Sequence, residues 1–397
     1  MRRLKSALIL GAFVLVMLSP LTAMAASSRQ DSIVLFSISC LDDTGGGLLH
    51  PGASTIGATM SYSFAIANVF ETMGVWEGAD LLLPDRVLKD NMTAWIEQLQ
   101  VTDSDALDYG GILAYSSASN ATLMSSFYAV LALTALAQTD ALDDTSLLNF
   151  IINLQLTNAT EHPETVGGFT DRAFNSSATV AATYYALEIL NTYDQLTLIN
   201  QSLAISWLNS SQLLGSPSST SYGGFANGRN STTADLQSTF MAIRSLELLN
   251  ALSVINQTAT ISYILPHYRS DLNYPQFIGG FSTTPDDPVA THWATYYAVA
   301  TLLLLGAEAQ LTPDAIITWV LSTQNTDGGF ADTPGSSGFS PQTNLAISTL
   351  ALLDALARLQ EPFGNEPYVF PWWILAIAII IIVVVLFIYI ARRAEWF

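Results

Sequence analysis

The stretch Gln324-Asn325-Thr326-Asp327-Gly328-Gly329-Phe330 contains the feature that organises the chain, a pair of glycines followed by a hydrophobic residue. The feature recurs at Gly110-Gly111-Ile112, Gly167-Gly168-Phe169, Gly223-Gly224-Phe225, Gly279-Gly280-Phe281 and, in a looser form, at Gly45-Gly46-Gly47-Leu48. Recurrence at a nearly fixed interval is typical of repeat architectures, in which each unit buries its apolar face against its neighbours.

Each glycine pair is followed by a second motif, which consists of a Ser or Thr, two large residues and an alanine. Its copies are Tyr62-Ser63-Phe64-Ala65, Ser126-Phe127-Tyr128-Ala129, Thr183-Tyr184-Tyr185-Ala186, Thr239-Phe240-Met241-Ala242, Thr295-Tyr296-Tyr297-Ala298 and Thr343-Asn344-Leu345-Ala346. The motif alanines lie 64, 57, 56, 56 and 48 residues apart. Six units of similar length are therefore expected.

Each unit is predicted to be a hairpin of two helices in which the glycine pair ends the first helix. The first helix is amphipathic and often contains a Trp followed by a Gln, as in residues 93–98 and 318–324, and Pro313 suits a first helical turn. The second helix is apolar on nearly every face, as in residues 125–136. The second helices should therefore form a buried inner layer, and the first helices a half-solvated outer layer.

Six hairpins can form either an open solenoid or a closed ring. The first and last units show no polar capping face, which favours an all-α, α6/α6 toroid. The longest loops between glycine pair and second helix are 171–177, 226–234, 282–290 and 331–340. They should gather at one end of the ring and form its binding face.

The N-terminal residues 1–25 predict a cleaved secretory signal peptide. A basic start is followed by the apolar run 7–18 and by Ala23-Met24-Ala25, which offers a small-residue cleavage site. The alternative is an uncleaved N-terminal anchor, although the run is shorter than the ~20 residues that a membrane span needs.

The C-terminal segment 372–391 predicts a transmembrane helix, because it is uncharged and long enough to cross a bilayer. Arg392 and Arg393 place the tail 392–397 in the cytoplasm. We therefore expect a single-pass cell-membrane protein, with the toroid (26–360) and its linker (361–371) outside.

The external portion is strongly acidic. Residues 27–370 contain 8 of the 13 basic and 32 of the 33 acidic residues, a net charge of −24, which argues against a nucleic-acid partner. Cys40 is the single cysteine, so no disulfide can form within the chain. Eight Asn-x-Ser/Thr motifs predict that the exported chain is a glycoprotein. The candidate acceptors are Asn91, Asn120, Asn158, Asn175, Asn200, Asn209, Asn230 and Asn256.

The repeated unit resembles the prenyltransferase and squalene-oxidase repeat over most of residues 30–360. The resemblance implies the α/α toroid of protein prenyltransferase β subunits, terpenoid cyclases and complement-type thioester domains. It does not imply one activity, because one toroid hosts unrelated functions.

This sequence lacks the catalytic motifs of two branches of the family that it resembles. Triterpene cyclases carry an Asp-x-Asp-Asp acid, and the acidic pairs Asp42-Asp43, Asp143-Asp144 and Asp286-Asp287 lack its leading aspartate. Thioester domains need Cys-Gly-Glu-Gln, whereas the single cysteine reads Cys40-Leu41-Asp42-Asp43.

The protein prenyltransferase branch implies a zinc site formed by Asp, Cys and His. Asp235 falls at the aspartate position, but Gln237 replaces the cysteine and Ala294 the histidine, with His292 two residues earlier. Asp235 and His292 are thus candidate zinc ligands, and the favoured alternative is a helix N-terminal charge and a buried helix-start histidine. Calcium is a further alternative at 103–108, which lacks the glycine and closing Glu of a calcium loop, or at Asp286-Asp287. No cofactor is expected.

The resemblance implies that aromatic residues of the inner helices line a central cavity and hold isoprenoid or lipid chains. The candidates are Phe127, Tyr128, Tyr184, Tyr185, Phe240, Tyr296 and Tyr297. The alternative is ordinary interhelical packing, and only one member of each adjacent pair is expected to face the cavity.

The favoured function is a non-catalytic binding or interaction module for an apolar, isoprenoid-like or peptide ligand, or for another surface protein. One alternative is a prenyltransferase- or terpenoid-cyclase-type enzyme with altered catalytic groups. Another is a structural surface glycoprotein, whose centre would be filled by side chains.

Overall fold

The computed structural model describes residues 28–42, 45–49, 51, 58–76, 85–158, 165–173, 177–333 and 335–363. Residues Arg29–Gln360 form one compact unit. The predicted signal peptide, transmembrane helix and cytoplasmic tail lie outside the described residues. Among the helices that are described, none combines the length and hydropathy needed to span a bilayer.

The compact unit is built almost entirely from helices. The α-helices of the described residues are α1 (Arg29–Ser39), α2 (Met60–Met73), α3 (Asp85–Glu97), α4 (Leu123–Ala135), α5 (Asp144–Ile152), α6 (Val180–Thr192), α7 (Gln201–Ser210), α8 (Leu236–Leu248), α9 (Gln257–Ile264), α10 (His292–Leu304), α11 (Pro313–Ser322) and α12 (Ser340–Leu352). Short 3₁₀ helices span Thr139–Ala141, Leu196–Leu198, Leu252–Val254, Leu265–His267, Pro275–Phe277, Glu308–Gln310 and Leu356–Gln360. Strands β1 (Phe281–Ser282) and β2 (Ala290–Thr291) pair antiparallel.

The even-numbered helices form a closed inner ring. Each packs against the next in chain order from α2 to α12, and α12 packs against α2. The odd-numbered helices lie outside them, where Arg29 Nη1 donates to Gln324 Oε1 at 2.8 Å and joins the last unit to α1. This closure confirms the predicted α/α toroid.

The glycine pairs are the surfaces against which the next outer helix packs. Gly167 has φ +99°, and a Cβ there would lie 2.1 Å from the carbonyl oxygen of Leu203 on α7. A Cβ on Gly168 would lie 2.8 Å from the ring of Trp207. The expectation that the pair ends the outer helix was wrong, because α7 ends at Ser210, well before Gly223. The glycines are required by close packing, not by helix termination.

The Ser or Thr of the second motif anchors the segment after the glycine pair. Thr183 Oγ1 accepts a hydrogen bond from the Phe169 N–H at 3.0 Å. The equivalent bonds join Ser63 to Gly47, Ser126 to Ile112, Thr239 to Phe225, Thr295 to Phe281 and Thr343 to Phe330. Ser63 therefore takes the place that a Ser or Thr has in the other copies. The first copy of the second motif starts at Ser63 and not at Tyr62, one residue later than the sequence alignment on Ala65 predicted.

A glutamine links successive outer helices. Gln212 Nε2 donates to the carbonyl of Asn256 at 3.0 Å, and its Oε1 accepts from the Asn256 N–H at 3.0 Å. Gln155 does the same with Asn200. In the second unit the equivalent residue is Gln100 and not Gln98, which the sequence motif had suggested. The side chain thus satisfies backbone groups at the helix start that would otherwise lack partners.

The loops after the glycine pairs meet at the end of the ring where the inner helices begin. The Leu123 N–H of α4 donates to the carbonyl of Asp171 at 3.0 Å, and the Val180 N–H of α6 donates to that of Asn227 at 2.8 Å. The Ser340 N–H of α12 donates to the carbonyl of Leu49 at 2.9 Å. The same kind of bond therefore also joins the last unit to the first, where the ring closes. These contacts place the loops together at one end, as expected.

Candidate functional site

A cavity of about 730 Å³ lies at the centre of the ring, and all six inner helices contribute to its wall. The wall includes the aromatic residues singled out in the sequence, namely Phe127, Tyr128, Tyr184, Tyr185, Phe240, Tyr296 and Tyr297. Phe64 and Trp293 also line it and were missed. Their signal was present, since Phe64 stands in the first copy of the second motif and Trp293 two residues before Thr295.

The expectation that one member of each adjacent aromatic pair would face the cavity was wrong. Both Tyr184 and Tyr185 line it, as do both Tyr296 and Tyr297. Consecutive side chains on a helix diverge by about 100°, so both reach a wide lumen that spans a large arc of each helix.

The rings form a continuous arc around one side of the cavity. Ring centroids are 5.4 Å apart for Phe127 and Tyr184, 5.9 Å for Tyr184 and Phe240, and 5.8 Å for Phe240 and Tyr296. These separations fall in the range of favourable aromatic contacts. The arc therefore presents a pre-formed apolar surface on α4, α6, α8 and α10.

The wall of the cavity is nearly uncharged. Burial raises the pKa of Tyr296 to about 12 and raises the pKa values of Tyr184 and Tyr297 well above the ordinary value, so these phenols stay neutral. Among the described residues that line the cavity, Glu71 is the one charged side chain, and none is Lys, Arg or His.

Arg244 lies one helical turn beyond Phe240 on α8 and is paired with two carboxylates. Its Nε donates to Glu188 Oε1 at 2.7 Å, and its Nη1 donates to Glu247 Oε2 at 2.6 Å. Glu188 is only 8% exposed. An anionic ligand that approached this guanidinium would also meet the carboxylates of Glu188 and Glu247, whose negative charges oppose its binding.

Asp235 is the N-cap of α8. Its Oδ1 accepts from the Ser238 N–H at 2.7 Å, and its Oδ2 accepts from the Ser238 hydroxyl at 2.7 Å. Both carboxylate oxygens thus serve the first turn of the helix.

His292 starts α10 and is fully buried between the inner and outer layers. Its Nε2 is 2.9 Å from Thr323 Oγ1, and its ring centroid is 4.9 Å from that of Trp319 on α11. Burial lowers its pKa to about 3, against a smaller opposing effect of the Ala331 backbone. The imidazole is therefore a neutral packing group, and it is not part of the cavity wall.

Comparison with known proteins gives the family. The model of the prenyltransferase alpha-alpha toroid domain matches residues 52–212, 113–287 and 175–374. The chain belongs to this family. Geranylgeranyl transferase type-1 subunit beta of Arabidopsis thaliana is 27% identical over 281 residues, which are 63% of this chain and 68% of that protein.

Solved structures of this toroid family and of terpene cyclases share the fold. Candida albicans protein geranylgeranyltransferase-I complexed with GGPP has a TM-score of 0.59 at 16% identity, covering 76% of this chain and 85% of that one. Type II terpene cyclase MstE from Scytonema has a TM-score of 0.52 at 13% identity, covering 83% of this chain and 97% of that one. At these identities the likeness concerns the fold alone.

The residues of this prenyltransferase-family toroid do not fit the zinc site that the resemblance implies. Asp235 caps a helix, Gln237 stands at the thiolate position and hydrogen-bonds Tyr297, and His292 is packed against Trp319. In the described part of the chain, no group of three or more His, Cys, Asp or Glu side chains is placed to hold a metal ion.

The two calcium candidates form local turns. Asp103 Oδ1 accepts from the Asp105 N–H at 3.0 Å, and Asp287 Oδ1 accepts from the Val289 N–H at 2.9 Å. Such bonds stabilise loop geometry in the absence of any ion.

Most candidate glycan acceptors are accessible on the toroid. Asn91, Asn158, Asn200, Asn209, Asn230 and Asn256 are exposed, Asn120 is half-buried, and Asn175 lies outside the described residues. Asn200 and Asn256 cap α7 and α9 through Oδ1, at 3.1 and 3.0 Å from the Leu203 and Ala259 N–H groups. Because a glycan attaches to Nδ2, capping and glycosylation at these two positions are compatible.

His292 should make the stability of the toroid depend on pH. The unfolded chain binds a proton at the ordinary pKa of 6.5, whereas folded His292 stays neutral down to about pH 3, so acidification between these values favours unfolding. We expect the wild-type protein to lose about 2 kcal/mol more between pH 7 and pH 5 than His292→Gln does. Urea unfolding of both proteins at the two pH values measures this. The pKa values of Asp332 and His267 are also shifted, but both residues are present in both proteins and should contribute equally to the two losses. Equal losses of stability in the wild-type protein and in His292→Gln would therefore contradict the assignment to His292.

Proposed function

We propose that the toroid is a non-catalytic binding module that holds an apolar, isoprenoid-like ligand in its central cavity. The observation that carries the proposal is the cavity itself, whose 730 Å³ lies within the range of small-molecule sites. Its wall offers an aromatic arc and, among the described lining residues, one charged side chain, Glu71. Such a surface suits a hydrocarbon chain.

Two similar proteins support the choice of ligand class. The Candida albicans geranylgeranyltransferase-I structure contains GGPP, and a variant of the Scytonema cyclase was solved with geranylgeranyl dihydroxybenzoate. Both ligands carry a geranylgeranyl chain. We favour an isoprenoid-like chain over a peptide, because ring faces and aliphatic side chains make up most of the wall.

The chemistry of the site supports a role without catalysis. The zinc donors are replaced or committed to other contacts, and the Asp-x-Asp-Asp acid is missing from the sequence. A purely structural surface glycoprotein would be expected to fill its centre with side chains. The open cavity therefore favours a binding module over a scaffold.

We further propose that the toroid stands outside the cell membrane, anchored by residues 372–391 with the tail 392–397 in the cytoplasm. Support comes from the apolar C-terminal segment, the basic residues after it and the signal-peptide pattern at the start. Exposed Asn acceptors on the toroid agree with an exported glycoprotein.

The test is to purify the full chain in lipid nanodiscs from its own or a related host, and to identify bound molecules and metals. Native mass spectrometry should find a stoichiometric isoprenoid lipid that is absent from empty nanodiscs, and elemental analysis should find no stoichiometric zinc or calcium. Zinc that is lost in Asp235→Ala would contradict a non-catalytic role. A protein that carries no lipid and takes up no added geranylgeraniol would contradict ligand binding.

A further inference from the structure

The aromatic arc is interrupted at one of the six units. The first large residue of the second motif is aromatic in five units, at Phe64, Phe127, Tyr184, Phe240 and Tyr296. In the sixth unit this position holds Asn344, which is 8% exposed and lines the cavity. An amide therefore stands where the sibling units place a ring, and it presents hydrogen-bonding atoms where they present a ring face.

The amide of Asn344 belongs to a small polar cluster on α2 and α12, formed by Asn68, Asn344 and Ser348. Asn68 Nδ2 donates to Asn344 Oδ1 at 2.6 Å and lies 3.4 Å from Ser348 Oγ. All three residues line the cavity. Residues 276 positions apart are thus joined at the point where the ring closes.

The cluster has hydrogen-bonding capacity to spare. An asparagine amide offers two donor hydrogens and one acceptor oxygen. Within the described part of the chain, Asn344 Nδ2 and Asn68 Oδ1 have no hydrogen-bond partner, and their residues border the cavity. Polar atoms in an apolar enclosure require a partner, which here has to be water or a ligand.

The order of the helices places this cluster across the cavity from Tyr184 and Phe240. The inner helices run α2, α4, α6, α8, α10, α12 around the ring, so α12 and α2 lie opposite α6 and α8. Tyr184 and Phe240 stand on those opposite helices. A ligand in the cavity therefore meets an aromatic surface on one side and a donor and acceptor pair on the other.

We propose that Asn68, Asn344 and Ser348 bind the uncharged, oxygen-bearing end of the ligand, a hydroxyl or carbonyl group. This assignment rests on the proposed binding of an isoprenoid-like chain and specifies its class. A hydroxyl can accept from Asn344 Nδ2 and donate to Asn68 Oδ1 at the same time. A diphosphate end is disfavoured, because Glu71 follows Asn68 by one turn on α2 and the described wall contains no cation.

The test compares three probes with one carbon skeleton, namely geranylgeraniol, geranylgeranyl diphosphate and the corresponding hydrocarbon. Binding to the full chain in nanodiscs is measured by quenching of tryptophan fluorescence, with empty nanodiscs subtracted, because Trp293 lines the cavity. We expect the wild-type protein to bind the alcohol about fivefold or more tightly than the hydrocarbon, as one to two hydrogen bonds provide, and to bind the diphosphate most weakly.

The variant Asn344→Phe restores the ring of the other units and should reduce the alcohol-to-hydrocarbon ratio to about one. Asn68→Leu removes the acceptor Asn68 Oδ1 and should also lower the alcohol-to-hydrocarbon ratio. It tests the proposal if Asn344→Phe does not fold. The control Asn153→Phe changes an exposed residue after α5 and should keep the wild-type ratio.

A wild-type protein without preference for the alcohol, a preference for the diphosphate, or variants that keep the wild-type ratio would overturn the head-group assignment while leaving chain binding intact. A wild-type protein that binds none of the three probes would overturn the proposed function itself.

Discussion

Replacement of Gly167 by alanine is expected to lower the free energy of unfolding by about 4 kcal/mol or more. Gly167 has φ +99°, a conformation that costs an alanine of order 1–3 kcal/mol. Its Cβ would also lie 2.1 Å from the Leu203 carbonyl oxygen, so the backbone of α7 has to move away from the glycine pair. A toroid of marginal stability would lose much or all of its folded population.

The measurement is urea unfolding followed by tryptophan fluorescence, with Gly215→Ala as the matched control. A Cβ on Gly215 meets nothing within 4 Å, and its φ is not positive. The control should stay within about 0.5 kcal/mol of the wild-type protein. Equal unfolding midpoints for the two variants would show that the glycine pair is not the packing surface that the structure indicates.

Replacement of Leu131 by tryptophan is expected to reduce ligand binding more than tenfold while the protein stays folded. Leu131 lines the cavity from α4 and is only partly buried. The larger indole would extend into open volume rather than into backbone, so it should occupy the space of the ligand without the strain of an overpacked core. The bound lipid per protein, measured by mass spectrometry, should fall accordingly.

The control for this variant is Leu198→Trp, which makes the same change at an exposed site. Leu198 is 46% exposed, lies in the 3₁₀ helix Leu196–Leu198 and does not line the cavity. It should retain wild-type lipid content. If Leu131→Trp also retained its lipid, the ligand would not be in the central cavity.

Several parts of the candidate site followed from the sequence because they repeat. The second motif located the aromatic residues of the wall, and its Ser or Thr marks the start of each wall segment. The non-fitting zinc site was also visible, since Gln237 and Ala294 replace required donors. Positions of this kind can be predicted from the sequence, because the same residue types recur at the same place in six units.

Other parts could not be read from one unit. The register of the first copy was misassigned because Ile66 replaces the alanine, and the hydrogen bond from Gly47 to Ser63 resolved it. The pairing of Asn68 with Asn344 joins the first and last inner helices, which lie in different repeats. The contact of Arg244 with Glu188 likewise joins two units.

The sequence by itself determined that this chain is built from stacked helical hairpins, because the glycine pairs and apolar second helices impose local steric and burial requirements that only stacked units satisfy. It favoured a closed ring over an open solenoid, and the packing of α12 against α2 in the structure decided for the ring. Only the tertiary structure decided that the ring encloses an open cavity, that both members of each tyrosine pair reach it, and that an amide cluster faces the aromatic arc. The physical reason is that an open volume depends on how closely six helices approach at once. That distance is set by packing between distant segments and not by any one of them.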